Sequence, residues 1–247
     1  MTDPAALATL QPDVVFDGGD LDCGSGLILL IREHMLRAPV GGILEMRSRE
    51  PSVGDDLPPW CRMVGHDYLG AVPASPYTRY FMRRGTGAAE DAARLAEDKR
   101  KAREYVWRVR VRATGALEST VYCRNFSWRL GQPASFEERD PHPSAVEALL
   151  GALAASLSTG FATTAARAGL DVDDIEIAVS GKLDNVLVLL GLEDGDPAFS
   201  TIEVRGFAST MEDEAGVRAA WDEAVRRSPL VATLGKAVTL KIKLTIV

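Results

Sequence analysis

The chain has 247 residues, of which 46% are hydrophobic and 26% charged, and its net charge is −7. These values are ordinary for a globular protein of one or two domains, and they exclude a fibrous or intrinsically disordered chain. The acidic balance argues against nucleic acid as a partner, because phosphate binding needs a concentrated basic surface.

The N-terminus predicts no targeting segment. Met1 to Leu10 contains neither the basic stretch nor the apolar core that a secretory signal carries. By composition, we expect no apolar run to approach the roughly 20 residues that a membrane helix requires. The sequence therefore predicts a cytoplasmic protein that does not bind a membrane.

Three cysteines are present, Cys23, Cys61 and Cys123. In a reducing compartment, an odd and sparse set predicts free thiols rather than a disulfide framework. The chain has no Cys-x-x-Cys pair, and its three histidines are scattered, so no cluster has zinc spacing. We expect neither a metal nor a cofactor.

The first part of the chain predicts an α+β fold, a two-layer sandwich with the order β-α-β-α-β-β over residues 13–84, after a flexible N-terminus at 1–12. Apolar residues recur with helical spacing after Gly26, and alternation and turn residues mark the strands. In chain order the predicted elements are a strand at 14–16, a helix at 27–36, a strand at 43–47, a helix from Glu50 through Cys61, and hairpin strands at 67–72 and 77–83.

Residues 85–103 are rich in alanine and charged side chains, and predict a linker that becomes an exposed helix. A second α+β domain follows over 104–247. Its predicted elements are strands within 105–112 and 118–130, a helix within 141–169, strands at 175–179 and 201–207, a helix at 212–227 and a closing strand at 237–247.

The longest predicted helix begins with a capping box formed by Ser144 and Glu147. The run that follows, 145–157, is apolar nearly all round. Such a helix is expected to be buried in a core rather than to lie on a surface.

Two motifs characterise the first domain, DGGDLDCGSG at 17–26, just before the first helix, and DLPPWC at 56–61. With Gly65-His66 they resemble the TusA/SirA-like sulfur-carrier family over about 13–84. The family's usual motif is Cys-Pro-x-Pro, whereas here glycine replaces both prolines. The resemblance implies that Cys23 carries a persulfide.

Cys23 lies just before a helix, where backbone amides stabilise an anion and are expected to lower the pKa of a thiol. The exposed amides of Gly24-Ser25-Gly26 could contact a sulfur anion or an incoming group. The alternative is an idle thiol in a domain that has lost its chemistry. For Cys61 and Cys123, packed core and strand positions are the favoured interpretation.

Two further segments, HPSAVEALLGALAAS at 142–156 and RSPLVATL at 227–234, resemble the OsmC/Ohr-like family. Peroxidases of that family carry cysteines at the ends of these motifs, where this chain has Ser156 and Ser228. Since serine cannot form a disulfide, we do not expect an active thiol peroxidase. The resemblance implies an intertwined homodimer, formed through this domain, with two buried central helices.

Arg124 and Glu147 lie near where the related enzymes keep polar active-site residues, and they are candidates for a pocket. Glu147 also has a structural role in the capping box. Serine hydrolysis at Ser156 or Ser228 would need an adjacent base, and the only histidine in this domain is His142.

The leading hypothesis is a sulfane sulfur carrier or relay that exchanges sulfur with a donor or acceptor protein or a small thiol. Its C-terminal domain would then serve for dimerisation or ligand binding. One alternative is a non-catalytic binding or regulatory module. A second, disfavoured by the two serines, is an organic hydroperoxide reductase.

Overall fold

A computed structural model describes residues 7–23, 26–86, 88–115, 117–131 and 141–246, with the backbone alone for 88–91. The chain divides into two compact units, Met1–Tyr105 and Val106–Val247. Each unit has its own hydrophobic core.

The first unit has the predicted β-α-β-α-β-β order, followed by one further helix. Its four strands form a sheet in the order β1-β2-β4-β3, in which only the β1–β2 pair is parallel. The elements are β1 (Val14–Asp17), α1 (Leu27–Met35), β2 (Ile43–Ser48), α2 (Val53–Val64), β3 (Asp67–Ala74), β4 (Tyr77–Arg83) and α3 (Ala88–Arg103). The prediction of a two-layer sandwich is confirmed.

Helices α1 and α2 cover one face of this sheet. In α1 the residues Leu27, Ile31 and Met35, spaced by four, are buried together, as expected for the apolar stripe of an amphipathic helix. They pack on strand residues that include Leu44 and Met46 of β2. Both helices therefore lie on one side of the sheet, and the other side makes different contacts.

The opposite face of the sheet is partly covered by the start of the chain. Leu7 is only 1% exposed and packs against Leu69 and Phe81. The flexible N-terminus predicted for 1–12 is therefore wrong for the residues from Leu7 onward, because an apolar side chain there finds a buried position. Residues 1–6 lie outside the described residues.

Helix α3 packs on α1 within the first unit. Leu95 is 7% exposed, Arg32 pairs with Asp98, and the ammonium of Lys99 lies 3.1 Å from the carboxylate of Glu33. The segment predicted as a linker with an exposed helix thus forms a helix that is attached to the first unit.

The second unit contains two three-stranded sheets, ordered β5-β6-β7 and β10-β9-β8. The first is antiparallel, and in the second β9 is antiparallel to β8 and parallel to β10. The elements are β5 (Arg110–Ala113), β6 (Ser119–Cys123), β7 (Phe126–Leu130), α4 (Ala145–Arg167), β8 (Asp174–Leu183), α5 (Val186–Leu189), β9 (Phe199–Ser209), α6 (Glu214–Arg227), α7 (Pro229–Leu234) and β10 (Thr239–Ile246).

Helix α4 is the long helix that the sequence predicts, and it begins with the predicted capping box. Leu153, Leu157 and Phe161 form a buried stripe at i, i+4 and i+8, so the predicted burial is confirmed for this face. Other residues of the helix are exposed within the single chain.

By length and composition alone, α4 is the one helix of the described residues that could cross a membrane. The prediction that no apolar run approaches that length was wrong. Its buried stripe nevertheless packs into the core, where Phe161 meets Trp221 of α6 edge-on with ring centroids 5.8 Å apart.

The core of the second unit lies between α4, α6 and the β8–β10 sheet. Gly206 of β9 lets the Trp221 ring approach, since a Cβ at this position would lie 3.0 Å from a ring carbon. Among the described residues, the β5–β7 sheet contributes none to this core. Val121 of that sheet is buried, whereas Val111, Phe126 and Trp128 are exposed.

Candidate functional sites

The structure brings the two predicted serines into direct contact. Ser156 lies within α4, Ser228 lies between α6 and α7, and their Oγ atoms are 2.8 Å apart. Ser228 is 4% exposed and caps α7, where its Oγ accepts a hydrogen bond from the Val231 N–H at 3.3 Å. Pro229 at the first turn of α7 favours this helix start.

The two hydroxyls can form a hydrogen bond with each other, but they cannot be oxidised to a disulfide. A hydrolytic nucleophile would need a base within hydrogen-bond reach. The ring of His142, the histidine of this unit, instead contacts Glu118 at 3.7 Å. The arrangement fits a structural contact between α4 and the start of α7.

Cys23 lies in the turn before α1, whose N-cap is Gly26 with φ 102°. The thiol is partly buried and lies close to Asp56 in the first turn of α2. Burial, followed by the negative charges of Asp56 and Asp22, raises the pKa of Cys23 to about 11.

The predicted lowering of the Cys23 pKa is therefore wrong. The influence of a helix terminus falls off within one turn, and Cys23 precedes the N-cap by three residues. Nearby carboxylates disfavour the thiolate instead. The amides of Gly24 and Ser25, which the sequence suggests as an anion cradle, lie outside the described residues.

Comparison with known proteins assigns the two units. The family model described as OsmC-like protein matches residues 137–243. The sulfur carrier protein TusA of Pseudomonas putida strain GB-1 is 29% identical over 63 residues, 26% of this chain and 78% of that protein. TusA of strain W619 is 26% identical over 78 residues, 32% of this chain and 96% of that protein.

The chain joins a TusA-like domain to an OsmC-like domain. A crystal structure of an OsmC-like protein from Mycoplasma pneumoniae supports the fold of the second domain, with a TM-score of 0.51 at 16% identity. The match covers 58% of this chain and 99% of that protein.

In the OsmC-like domain, Glu147 has the structural role that its spacing predicts. Its carboxylate accepts the Ser144 N–H at 2.7 Å, and its own N–H donates to Ser144 Oγ at 3.2 Å. The backbone N–H of Ser144, followed by the side chain of Ser144, lowers the pKa of the Glu147 carboxyl.

Arg124, the other candidate pocket residue, lies in the turn between β6 and β7 with φ 52°. Its guanidinium lies 5.3 Å from the centroid of the Phe126 ring. Within the described residues, neither Arg124 nor Glu147 shares a hydrogen bond with Ser156 or Ser228. A pocket built on these residues stays a prediction.

Each domain contains one of the two remaining thiols, Cys61 and Cys123. Cys61 of the TusA-like domain is fully buried in the core, as predicted, and burial followed by Asp67 raises its pKa to about 12. Cys123 is partly buried on β6, where it pairs in register with Phe126. Among the described residues, no group of three or more His, Cys, Asp or Glu side chains could hold a metal ion.

Two clefts lie away from these residues. One, of about 580 Å³, runs beside α7 and β10 and is lined by Val231, Gly235, Lys236, Ala237, Val238, Thr239, Leu240 and Ile242. The other, of about 430 Å³, lies in the TusA-like domain and is lined mainly by residues 48–51 and 73–78. Cys23, Ser156 and Ser228 are absent from both linings.

Sequence reasoning did not identify Asp56 as a neighbour of Cys23. The signal was present in the pair Asp55-Asp56 at the start of α2. Only the fold shows which of the two reaches the thiol, because the contact joins segments 33 positions apart in the sequence.

Proposed function

We propose that this protein handles sulfane sulfur and that Cys23 of the TusA-like domain carries the sulfur atom. The observation that carries the proposal is a thiol in the turn before α1 in a domain similar to proteins named sulfur carriers. Its partner would be a sulfur donor or acceptor protein, or a small thiol.

In the proposed step, the Cys23 thiolate attacks the terminal sulfur of a donor persulfide. A new S–S bond forms at Cys23 as the S–S bond of the donor breaks. The donor leaves as a thiolate and takes up the proton that Cys23 loses. The sulfane sulfur changes carrier, and no external oxidant or reductant is required.

Burial, together with the charge of Asp56, makes the resting thiol a poor nucleophile. With a pKa of about 11, only about one thiol in ten thousand is ionised at pH 7. Sulfur uptake by the free protein would then be slow, and a donor protein that places a positive charge beside Asp56 would accelerate it. A small-molecule persulfide would still transfer sulfur to Cys23, at a rate limited by the small ionised fraction of the thiol.

The OsmC-like domain is proposed to supply association rather than redox chemistry. On one face of its β5–β7 sheet, Val111, Val121 and Trp128 are aligned across the strands, and Val111 and Trp128 are 58% and 45% exposed. Burying such a face is favourable, and a homodimer through this domain would do so. We propose that the protein acts in the cytoplasm.

The test is sulfur transfer from a small-molecule persulfide donor, followed by intact mass measurement. The expected result is a gain of one sulfur atom in wild type and in C61S and C123S, and none in C23S. An unchanged wild-type mass, or the same gain in C23S, would refute the proposed carrier role. A free-thiol count on the unfolded protein first confirms that all three cysteines are reduced.

A second candidate function is a non-catalytic binding or regulatory module. The raised pKa of Cys23 and the glycines at both proline positions of the sulfur-carrier motif favour it. Under this alternative, C23S would take part in association and ligand binding as well as wild type does, and no sulfur would be transferred.

A further inference from the structure

The segment that forms the β5–β7 sheet is strongly basic in an acidic chain. Residues 106–131 contain five arginines and a single acidic residue, whereas the whole chain has a net charge of −7. The arginines are Arg108, Arg110, Arg112, Arg124 and Arg129, and the acid is Glu118. Positive charge is thus concentrated in one short antiparallel sheet.

Strand register places three of these arginines on one face. Arg110 is directly opposite Tyr122, and Arg112 is opposite Thr120, which in turn is opposite Arg129. Because paired residues share a face and alternate with their neighbours, this set lies on the side opposite the apolar face described above. We call Arg110, Arg112, Thr120, Tyr122 and Arg129 the basic face.

The cations of the basic face are poorly neutralised. Among the described residues, neither Arg110 nor Arg112 has a carboxylate within ion-pair distance; the Arg110 guanidinium instead lies 4.3 Å from the centroid of the Tyr122 ring. Arg129 lies 3.4 Å from Glu118, which also contacts His142.

Arginines elsewhere in the same domain are arranged differently. On α6, Arg218 pairs with Glu214, and both Arg226 and Arg227 pair with Glu223. Each of these cations has an acidic partner within one helical turn. Among the described residues of the domain, the basic face is therefore a local excess of positive charge that nearby carboxylates do not offset.

We propose that the basic face binds an extended acidic segment of a partner protein. Arg110 and Arg112 are two positions apart on one strand, about 6.8 Å, which is also the spacing of alternate side chains in an extended peptide. Each guanidinium can bind a carboxylate through two parallel hydrogen bonds. An aspartate or glutamate at every second position would match both arginines.

A short acidic peptide fits the charge distribution better than a long nucleic acid does. Surface charges farther away than about 10 Å are largely screened at moderate salt, so a peptide confined to the basic face feels mainly its arginines. A longer polyanion would extend over the remaining acidic surface of a chain whose net charge is −7. This inference does not depend on sulfur transfer by Cys23.

The test measures the anisotropy of a short fluorescein-labelled poly-L-glutamate chain as full-length protein is added at moderate ionic strength. The variant R110Q/R112Q removes the two cations that have no carboxylate partner among the described residues, and R226Q/R227Q is the control with the same change in net charge. We expect the first variant to weaken binding about tenfold, as the loss of two exposed charge-assisted contacts implies, and the control to change it less than twofold.

Arginine-to-lysine replacement at both positions keeps the charge but removes the planar fork. R110K/R112K is expected to bind with an affinity between those of wild type and R110Q/R112Q. If R110Q/R112Q does not fold, the lysine variant serves as the test. Thermal unfolding of all variants supplies the folding control.

Three results would overturn the proposal: no binding of poly-L-glutamate by wild type, equal weakening in R110Q/R112Q and R226Q/R227Q, or lysine and wild-type proteins with the same affinity. Tighter binding of single-stranded oligouridine than of poly-L-glutamate would assign the basic face to nucleic acid instead and would equally overturn it.

Discussion

The two domains differ in how they have departed from the motifs they resemble. The TusA-like domain keeps its thiol at Cys23, but burial and nearby carboxylates hold the proton on sulfur. The OsmC-like domain keeps two side chains in contact, Ser156 and Ser228, but places oxygen where its peroxidase relatives are expected to carry sulfur. The first domain retains a sulfur atom, and the second retains the contact between two side chains. The similarity of either domain to a known family therefore does not by itself predict activity.

The largest effect is expected from returning sulfur to the second domain. In S156C/S228C, side chains whose Oγ atoms now lie 2.8 Å apart are expected to form a disulfide with little backbone movement. Non-reducing mass spectrometry should show a loss of two hydrogens after oxidation.

The single variants S156C and S228C are the controls for that cross-link. Neither should lose two hydrogens after oxidation. Hydroperoxide consumption with a dithiol reductant should be absent in wild type. If the double variant stays fully reduced under oxidation, the claim that only an element separates the two serines from a redox pair is refuted.

The next effect concerns the core that holds the serine pair. Phe161 is fully buried against Trp221, and Phe161→Ala is expected to reduce the free energy of unfolding by about 3–5 kcal/mol. Chemical denaturation of the full chain measures it. Replacing the exposed Phe126 with alanine is the matched control; an equal loss there would contradict the description of the core.

Removing the charge beside Cys23 should change its reactivity rather than its fold. D56N removes the negative charge that disfavours the thiolate, so the pKa of Cys23 should fall from about 11. Since alkylation proceeds through the thiolate, the rate at pH 8 should rise by about tenfold for each unit of decrease.

Peptide mass spectrometry of Cys23 alkylation at a series of pH values gives the pKa of this thiol in wild type and in D56N. In wild type the rate should increase with pH until about pH 11, and in D56N it should level off earlier. D55N alters the adjacent carboxylate and is the control. Identical pH profiles for D56N and wild type would mean that Asp56 does not hold the thiol proton.

The smallest effect is expected at the start of α4. S144A removes the hydroxyl that accepts the Glu147 N–H, and the loss of such an N-cap costs about 1 kcal/mol. Thermal unfolding measures it, and S158A, at a partly exposed position in the interior of the same helix, is the control. A cost no greater than that of S158A would show that the capping box contributes nothing measurable.

Much of the fold could be predicted because it depends on local patterns. The spacing of Leu27, Ile31 and Met35 indicates α1, and the capping box at Ser144 marks the start of α4. Short helices escaped prediction, since α5 and α7 have four and six residues and span fewer than two helical turns. The position of Leu7 also escaped, because its burial depends on β3 and β4 and not on its neighbours in sequence.

The candidate sites divide in the same way. The serine pair could be predicted, because each serine replaces a motif cysteine and the fold brings those motifs together. The raised pKa of Cys23 could not, because it depends first on burial of the thiol and then on Asp56 from a distant helix, both of which only the fold shows. The basic face was likewise missed, since net charge averages over the chain and only strand register shows that Arg110, Arg112 and Arg129 share one side.

The most direct test of the account is peptide-resolved mass spectrometry after wild-type protein is exposed to a persulfide donor and its persulfides are trapped by alkylation. The account predicts one added sulfur on the peptide that contains Cys23, and no added sulfur on those that contain Cys61 or Cys123. Sulfur located on Cys123 instead, or spread evenly over the three thiols, would contradict it.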